Sequence, residues 1–413
     1  MWLSSHLNRI EYALMSFCRI RNWTGMKDDE SILVTDKCNW QRLKSLTKYW
    51  STMSRSPFSK YIAPDWENFV RCVARQGTPE RAHNLELFLD PEIKQAICER
   101  FDLLGNLNRA DPFFILKREI ALQRFLGYDY VLCGLSGLIM PINTNATEDT
   151  ASNKRSSGRV FVDEQRGPIT TWEEFESYPW PDPQAARSTA LEWYEENLPD
   201  DMCVLGGLTG HFAENLSWLM GYETLCYSLY DQPDLVRAIA DRCFEIDTQV
   251  TARLVEFDRV KMIWGSDDMG FRTGTLISPD DLRELVLPGH KALAGITHDA
   301  GCLYLLHSCG NLEDIMDDLI DDVSIDGKHS YEDTILDVRE AKRQWGDRIA
   351  VLGGLDMDFM CTADETDIRK RTNDTLQACM PGGGYCLGTG NTVANYVPLD
   401  HYLAMLDEGR RFA

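Results

Sequence analysis

The sequence predicts an α/β protein built on a (β/α)₈ barrel of the TIM type. From residue 80 onward, eight short apolar runs alternate with long amphipathic segments. Most of these runs are apolar throughout, which is typical of parallel strands covered on both faces. Eight strand–helix alternations favour a closed barrel, and a doubly wound open sheet is the alternative.

The predicted strands can be read directly from the sequence. They are HNLELFL (83–89), YDYVLCG (128–134), CVLGGL (203–208), KMIWGSDD (261–268), CLYLLHSCG (302–310), VSIDGKH (323–329), IAVLGGLD (349–356) and GYCLGTGN (384–391). Helix signals lie between them. Asp111-Pro112 pairs an N-cap with a first-turn proline, Ser278-Pro279 repeats this device, and Gly127 is placed to end a helix.

The chain is predicted to have two parts. Residues 1–52 carry eight basic and five acidic side chains and no persistent periodicity, so we expect an N-terminal extension there. The alternatives are an ordinary N-terminal helical layer or an over-long reading of the start site. Residues 53–413 are predicted to form the barrel. Residues 143–183 make a connection too long for a simple strand–helix loop, and we expect a lid-like insertion.

Charge and cysteine content narrow the function classes. The 413 residues carry 42 basic and 65 acidic side chains, a net charge of −23, which disfavours nucleic acid and anionic membranes as partners. Thirteen cysteines are spread along the chain without a knot-like cluster, so reduced thiols in a cytoplasmic protein are expected. No apolar stretch is long enough for a membrane-spanning helix.

Polar residues concentrate where the predicted strands end, which is where barrel enzymes carry their sites. His307 and Cys309 are two positions apart on one strand, so both side chains can face one point. Imidazole and thiolate are ligands that zinc prefers, and Gly310 allows a sharp turn directly afterwards. The alternative is a buried thiol beside a satisfied histidine.

A catalytic zinc keeps three protein ligands, so a third residue is needed. Cys386 on the last strand is the first choice, and Glu86 and Asp268 are alternatives. Asp267 and Asp268 end a strand, and only one of them can face the cavity. Each is read as a substrate acceptor or acid–base group, or else as a helix cap.

Two further residues are predicted site residues. His329 is read as a substrate ligand or proton donor, or else as a hydrogen-bonding residue of its turn. Asn391 lies at the end of the last strand and is a candidate for substrate binding, as is Glu86 if it is not a ligand.

Four separated motifs together resemble the uroporphyrinogen decarboxylase superfamily. They are GLTGHFAENLSWLMGYETL (207–225), SDDMGFRTGTLISPDDLRELVLPGHK (266–291), LLHSCGN (305–311) and GGGYCLGTGNTVANYVP (382–398). The resemblance covers roughly residues 60–410 and implies a (β/α)₈ barrel, in agreement with the strand count.

Two chemistries occur in that superfamily. The zinc-dependent methyltransferases of corrinoid pathways use a His-x-Cys pair and a later cysteine, and His307 and Cys309 match the pair. The later cysteine aligns with Thr389, three residues after Cys386. The resemblance therefore implies a methyltransferase that moves a methyl group between a small methylated substrate and a corrinoid on a partner protein. Asp268 and His329 would be its catalytic residues, and a homodimer is possible.

Two other functions remain open. One is decarboxylation of a tetrapyrrole-like anion, as in the decarboxylase itself. Against this, the arginine-rich signature of that enzyme is absent from ELFLDPEIK (86–94), and its aspartate is absent from YVLCGLSGLIMP (130–141). The other is a barrel that binds a ligand without catalysis.

Overall fold

The computed structural model describes residues 56–151, 154–155 and 158–412. The predicted extension, residues 1–52, lies outside the described residues. The helices are α1 (Trp66–Val73), α2 (Pro91–Arg100), α3 (Phe114–Leu126), α4 (Trp172–Ser177), α5 (Thr189–Asn197), α6 (Phe212–Met220), α7 (Tyr222–Asp231), α8 (Pro233–Leu254), α9 (Pro279–Leu285), α10 (Leu287–Asp299), α11 (Val338–Trp345), α12 (Met357–Thr362), α13 (Glu365–Cys379) and α14 (Leu399–Arg411).

Most strands belong to one parallel sheet. The strands are β1 (Tyr130–Cys133), β2 (Thr144–Thr147), β3 (Arg159–Val162), β4 (Cys203–Thr209), β5 (Val260–Ser266), β6 (Gly270–Phe271), β7 (Gly274–Thr275), β8 (Leu303–His307), β9 (Gly327–His329), β10 (Ala350–Leu352) and β11 (Tyr385–Cys386). The sheet has the order β1-β4-β5-β8-β9-β10-β11, and all its pairings are parallel. Its strands fall, to within one residue, inside seven of the eight predicted runs, so the parallel α/β architecture is confirmed.

The predicted barrel is only partly formed, because its backbone ladder does not close. The remaining run, residues 83–89, is the first in the chain. It lies beside β11, where Leu85 N donates to Leu387 O over 2.9 Å. Between this run and β1, the described residues form no backbone ladder. The hydroxyl of Tyr130 instead accepts from Glu86 N at 3.1 Å and donates to Glu86 O at 3.0 Å. A side chain therefore occupies the backbone groups that a closing strand would use.

The predicted helix signals hold at two of three places. Gly127 ends α3 with a φ of 82°, the left-handed conformation that favours glycine. Ser278 caps α9 by accepting from Asp281 N at 3.1 Å. Asp111 was expected to cap α3, but that helix begins at Phe114. The Asp111 carboxylate accepts from Phe113 N at 2.8 Å and forms a turn before the helix.

Both faces of the sheet are covered by apolar side chains. Val204 and Ile263 pack in a cluster with residues of α8 and α10. The residues next to them on the same strands, Leu205, Met262 and Trp264, belong to a second cluster. Neighbouring strand residues point to opposite faces, so this division explains why the strands read as continuous apolar runs.

The insertion predicted at 143–183 contains an antiparallel ribbon of β2 and β3. Asp149, which follows β2, accepts from Arg159 Nε at 3.0 Å and from Asn395 Nδ2 at 2.7 Å. Asn395 follows β11, so these contacts hold the ribbon beside the carboxyl ends of the strands. Closure of this ribbon over a substrate stays a prediction.

Within the described part of the chain, no helix has both the length and the apolar character needed to cross a bilayer.

The contact between the first run and β11 requires a glycine, which gives a test of the fold. A Cβ atom at Gly388 would lie 1.9 Å from the backbone oxygen of Leu85. We therefore expect Gly388→Ala to lower the free energy of unfolding by about 1–3 kcal/mol, as overpacking does. The measurement is urea denaturation followed by tryptophan fluorescence.

The matched control is Gly295→Ala. Gly295 lies on α10, and a Cβ there would meet nothing within 4 Å. This change should raise stability by up to about 1 kcal/mol, since alanine is the better helix former. Equal stabilities for the two variants would contradict the proposed role of Gly388.

Candidate metal centre

Three side chains with metal-ligating chemistry meet at the carboxyl ends of β5 and β8. Asp268 lies two residues after β5, His307 ends β8, and Cys309 lies two residues further on. His307 Nε2 lies 3.4 Å from Asp268 Oδ1 and 3.5 Å from Cys309 Sγ. One ligand atom from each residue lies within 4.8 Å of the others. Carboxylate, imidazole and thiolate are all ligands of zinc, so the donor set fits this metal.

The loops after β5 and β8 pack backbone against backbone. Gly310 has a φ of 85°, and a Cβ there would lie 2.1 Å from the carbonyl carbon of Gly270. The sharp turn predicted at Gly310 is therefore confirmed. This close approach sets Cys309 beside Asp268, whose Oδ1 accepts from Cys309 N at 2.9 Å.

A chain of hydrogen bonds fixes the orientation of the His307 ring. His329 Nε2 lies 3.1 Å from the backbone oxygen of Thr389, and a carbonyl can only accept, so this nitrogen donates. Burial, together with the nearby His307, holds the pKa of His329 well below its usual value. The His329 ring is therefore neutral, and its Nδ1 accepts from His307 Nδ1 at 2.7 Å. His307 Nε2 is left facing Asp268 and Cys309.

A buried carboxyl group supports Thr389 from behind. Glu86 Oε1 accepts from Thr389 N at 2.9 Å, and Glu86 Oε2 lies 2.6 Å from Thr389 Oγ1. Burial raises the pKa of Glu86 to about 8. The hydroxyl of Thr389 has one proton, which it gives to the Asn391 carbonyl at 2.7 Å. The protonated Glu86 then donates to Thr389 Oγ1. Both carboxyl oxygens of Glu86 and the N–H and hydroxyl of Thr389 are then hydrogen-bonded.

The two acidic groups of the cluster, Asp268 and Cys309, differ in their proton affinity. Burial alone would raise the pKa of Asp268, but the hydrogen bond and charge of His307 and the N–H of Cys309 lower it to about 2. Burial raises the pKa of the Cys309 thiol, and the charge of Asp268 adds to this. Asn391 Nδ2 lies 3.1 Å from the same sulfur. A metal would have to displace the thiol proton, whereas Asp268 is already ionised.

Two predicted site residues lie away from this cluster. The carboxylate of Asp267 accepts from the backbone N–H groups of Ala213 and Glu214, each at 2.9 Å. Asp267 thus caps the N-terminus of α6, and its side chain is fully buried. Cys386 is also fully buried and hydrogen-bonds with Cys72 on α1. Cys386 ends β11 three residues before Thr389, and it is not part of the cluster of Asp268, His307 and Cys309.

The remaining predicted residues lie at the cluster or behind it. His307, Cys309 and Asp268 form it, and Asn391 contacts its sulfur. His329 and Glu86 lie behind it, and both are buried within protein hydrogen bonds.

Two residues escaped sequence reasoning. Thr389 was noted only as the position of a missing cysteine, yet its backbone oxygen orients His329. Lys328 is 3% exposed, and its Nζ donates to Ser330 O at 2.7 Å and Ser308 O at 3.2 Å. Burial lowers its pKa to about 8. Strand alternation places Lys328 opposite His329, but an apolar residue would be expected there.

Comparison with known proteins identifies the family. The family model for uroporphyrinogen decarboxylase (URO-D) matches residues 164–412, which is more than half of the chain. The chain belongs to the uroporphyrinogen decarboxylase family. The superfamily resemblance drawn from the motifs is thereby confirmed.

One solved structure shares the fold of this URO-D family member at low sequence identity, and a second is similar to it over less of the geometry. A methyltransferase from Methanosarcina mazei superposes with a TM-score of 0.60 at 18% identity, covering 84% of this chain and 98% of its own. A putative vitamin-B12 independent methionine synthase from Listeria monocytogenes has a TM-score of 0.43 at 14% identity, covering 81% and 97%. No curated protein matches this chain significantly.

The raised pKa of Glu86 predicts a specific pH dependence of stability. Between pH 4.5, the ordinary value, and about pH 8, the folded chain retains this proton while the unfolded chain releases it. The free energy of unfolding should therefore fall as pH rises, by up to about 1.4 kcal/mol per pH unit, and level off above pH 8. Glu86→Gln removes this contribution, because an amide keeps the shape without the titration.

The measurement is urea denaturation of both proteins at pH 5, 6, 7 and 8. The stability of Glu86→Gln relative to the parent should increase steadily with pH. Stability curves that stay parallel from pH 5 to pH 8 would show that Glu86 is ionised in the folded chain.

Proposed function

We propose that this protein is a zinc-dependent methyltransferase that moves a methyl group between a small methylated substrate and a corrinoid carried by a partner protein. The observation that carries the proposal is the cluster of Asp268, His307 and Cys309 at the carboxyl ends of two neighbouring strands. This is the part of the fold where barrel enzymes carry out chemistry. The Methanosarcina mazei neighbour, itself a methyltransferase, supports the proposal through the shared fold.

Asp268, His307 and Cys309 would hold the zinc, with Asp268 replacing Cys386 as the third ligand. Three protein ligands leave a fourth position for a substrate atom, as catalytic zinc sites do. A bound zinc ion would supply Lewis acidity, polarising the heteroatom that bears the methyl group or keeping a substrate thiol ionised at neutral pH.

The surrounding residues prepare the site for this role. His329 and Thr389 hold His307 with Nε2 as the free ligand atom, which is how second-layer partners of zinc histidines act. His329 is therefore proposed as a positioning residue, because both of its ring nitrogens are bonded within the protein. The amide of Asn391 would stabilise a Cys309 thiolate by donating to its sulfur.

The methyl transfer itself is a nucleophilic displacement at carbon. The methyl carbon breaks its bond to oxygen, nitrogen or sulfur, and the bonding pair stays on that heteroatom. An ether oxygen or a thioether sulfur then takes up a proton, whereas an ammonium nitrogen leaves as the neutral amine. A corrinoid held by the partner would supply the electron pair of the new bond. The reverse transfer follows the same path backwards. The ribbon of β2 and β3 is proposed to exclude water.

Decarboxylation of a tetrapyrrole-like anion is less well supported by the charges near the strand ends. The arginines of the insertion are already paired, since Arg155 contacts Asp90 at 2.8 Å and Arg159 contacts Asp149 at 3.0 Å. A substrate with many carboxylates requires cations that are free to bind it.

We propose the bound zinc, the corrinoid-carrying partner protein and a homodimer as parts of the methyltransferase function.

The ligand set gives a test by metal analysis. We expect about one zinc per chain in the parent protein, and less than about a tenth of that in Asp268→Asn, His307→Ala and Cys309→Ser, since each removes one of three ligands. Cys386→Ala should keep its zinc. The measurement is elemental analysis after dialysis, with circular dichroism as a check of folding. Loss of zinc in Cys386→Ala and its retention in Asp268→Asn would reverse the ligand assignment.

The activity is tested with free cobalamin in place of the partner. Zinc-loaded protein, chemically reduced cobalamin and a panel of methoxylated aromatics, methylamines and methyl thioethers should yield methylcobalamin, detected by its absorption spectrum. His307→Ala and Cys309→Ser should lower the rate by at least about a hundredfold, because Lewis-acid stabilisation amounts to several kcal/mol. Cys361→Ser, on α12, is the control thiol. Equal rates in all variants would exclude the cluster from catalysis.

A further inference from the structure

A large cavity lies beside the carboxyl end of β4 and is separate in its lining from the three cluster residues. Its volume is about 410 Å³, and it opens to solvent. Its walls come from β4, from the start of α6, from one face of α8 and from the segment that follows β1. The space is large enough for a drug-sized molecule.

Most of the cavity wall is apolar. Leu138, Met140 and Ile142 contribute from the segment after β1, and Ile246 and Val250 contribute from α8. Such a lining favours a ligand with a mainly apolar body, because burial of its surface removes that surface from water.

One end of the cavity is polar. His211, Asn215 and Asp247 line this end. His211 Nδ1 lies 2.7 Å from Glu214 Oε2, and among the described residues its Nε2 has no hydrogen-bond partner. Asp247 Oδ1 accepts from Thr209 Oγ1 at 3.1 Å. The cavity therefore offers a ligand one imidazole nitrogen and one carboxyl group.

The charge of this end disfavours anions. No lysine or arginine is among the described residues that line the cavity. Burial alone would lower the pKa of His211, but the hydrogen bond and charge of Glu214 raise it, so a positive charge on this ring is already paired with the Glu214 carboxylate. Burial raises the pKa of Asp247 and raises that of Glu214 to about 7. Neither carboxyl group, whether protonated or ionised, supplies the positive charge that a buried anion needs.

The cavity and the metal cluster share one structural element. Asp267 caps α6 through the N–H groups of Ala213 and Glu214, and the next residue in the chain is Asp268. The helix that presents His211 and Asn215 to the cavity is thus anchored directly beside a cluster ligand. His211 and Asn215 follow the carboxyl end of β4, so this part of the cavity lies at the same end of the sheet as the cluster.

We propose that this cavity binds the methylated substrate, and that this substrate is a mainly apolar small molecule without negative charge. The inference rests on the proposed function only where it calls the bound molecule a substrate. The cavity and its charge do not depend on zinc. The proposal predicts that the cavity accepts methyl ethers and methylamines and excludes methylated compounds that carry a carboxylate or a sulfonate.

The test measures binding to the full chain at pH 8 by isothermal titration calorimetry, without zinc or cobalamin. Three probes of similar size are used: 1,2-dimethoxybenzene, the trimethylphenylammonium cation and 3,4-dimethoxybenzoate. We expect the Kd of the neutral or the cationic probe to be lower than that of the anion by a factor of at least about ten. Equal or tighter binding of the anion would overturn the proposal.

Two variants locate the binding. Val250→Trp fills the apolar end and should abolish binding, whereas Ala252→Trp, on the exposed side of the same helix, should leave it unchanged. Asp247→Asn, which keeps shape and packing, should weaken the preference against the anion. Unchanged binding in Val250→Trp would place the ligand elsewhere.

The outcome is distinguishable from failure of the proposed function. If the probes bind as expected but no zinc or methyl transfer is found, the cavity proposal holds for a binding protein and the methyltransferase proposal fails. If zinc and transfer are found but the discrimination is absent, the cavity proposal alone fails.

Discussion

The candidate site depends on one contact between two imidazole rings. His307 and His329 stand on paired strands, and their Nδ1 atoms lie 2.7 Å apart. Two imidazoles at this distance need one donor and one acceptor, so the state of one ring fixes the other. The Thr389 carbonyl makes that choice by accepting from His329 Nε2. As a result, His307 directs its Nε2 atom towards Asp268 and Cys309.

The arrangement places a requirement on the rest of the fold. Thr389 can orient His329 only if the end of β11 is held close to the end of β9. Glu86, buried and protonated, secures Thr389 from the first strand run, and the contact of Gly388 with Leu85 holds that run beside β11. The first and last strand runs of the predicted barrel therefore determine the protonation of a histidine two strands away. Partial closure of the barrel suffices, because the run at 83–89 must meet only β11 for this purpose.

Sequence reasoning could find the residues that strand alternation and ligand chemistry specify. The pair of His307 and Cys309 is readable because two residues on one strand share a face, and the seven parallel strands are readable because covered strands are apolar throughout. The third ligand was not readable to the same degree. Choosing between Cys386 and Asp268 requires knowing where each strand ends to within two or three residues and how neighbouring loops pack. The backbone contact of Gly310 with Gly270, which sets Asp268 beside Cys309, is a tertiary feature that residue types alone do not specify. The same limit hid Lys328 and the backbone role of Thr389, since a carbonyl carries no residue-type signal.

The two neighbouring aspartates show how the fold separates structure from chemistry. Asp267 and Asp268 follow the same strand, and alternation sends their side chains to opposite sides. Asp267 neutralises the positive end of α6 and is fully buried, whereas Asp268 remains half-exposed beside His307 and Cys309. Because His211 precedes α6 and Asn215 lies on it, one dipeptide sets both the position of Asp268 and the shape of the apolar cavity. A change in how α6 docks would therefore alter both the proposed metal site and the proposed substrate cavity, and would couple the two affinities that we propose.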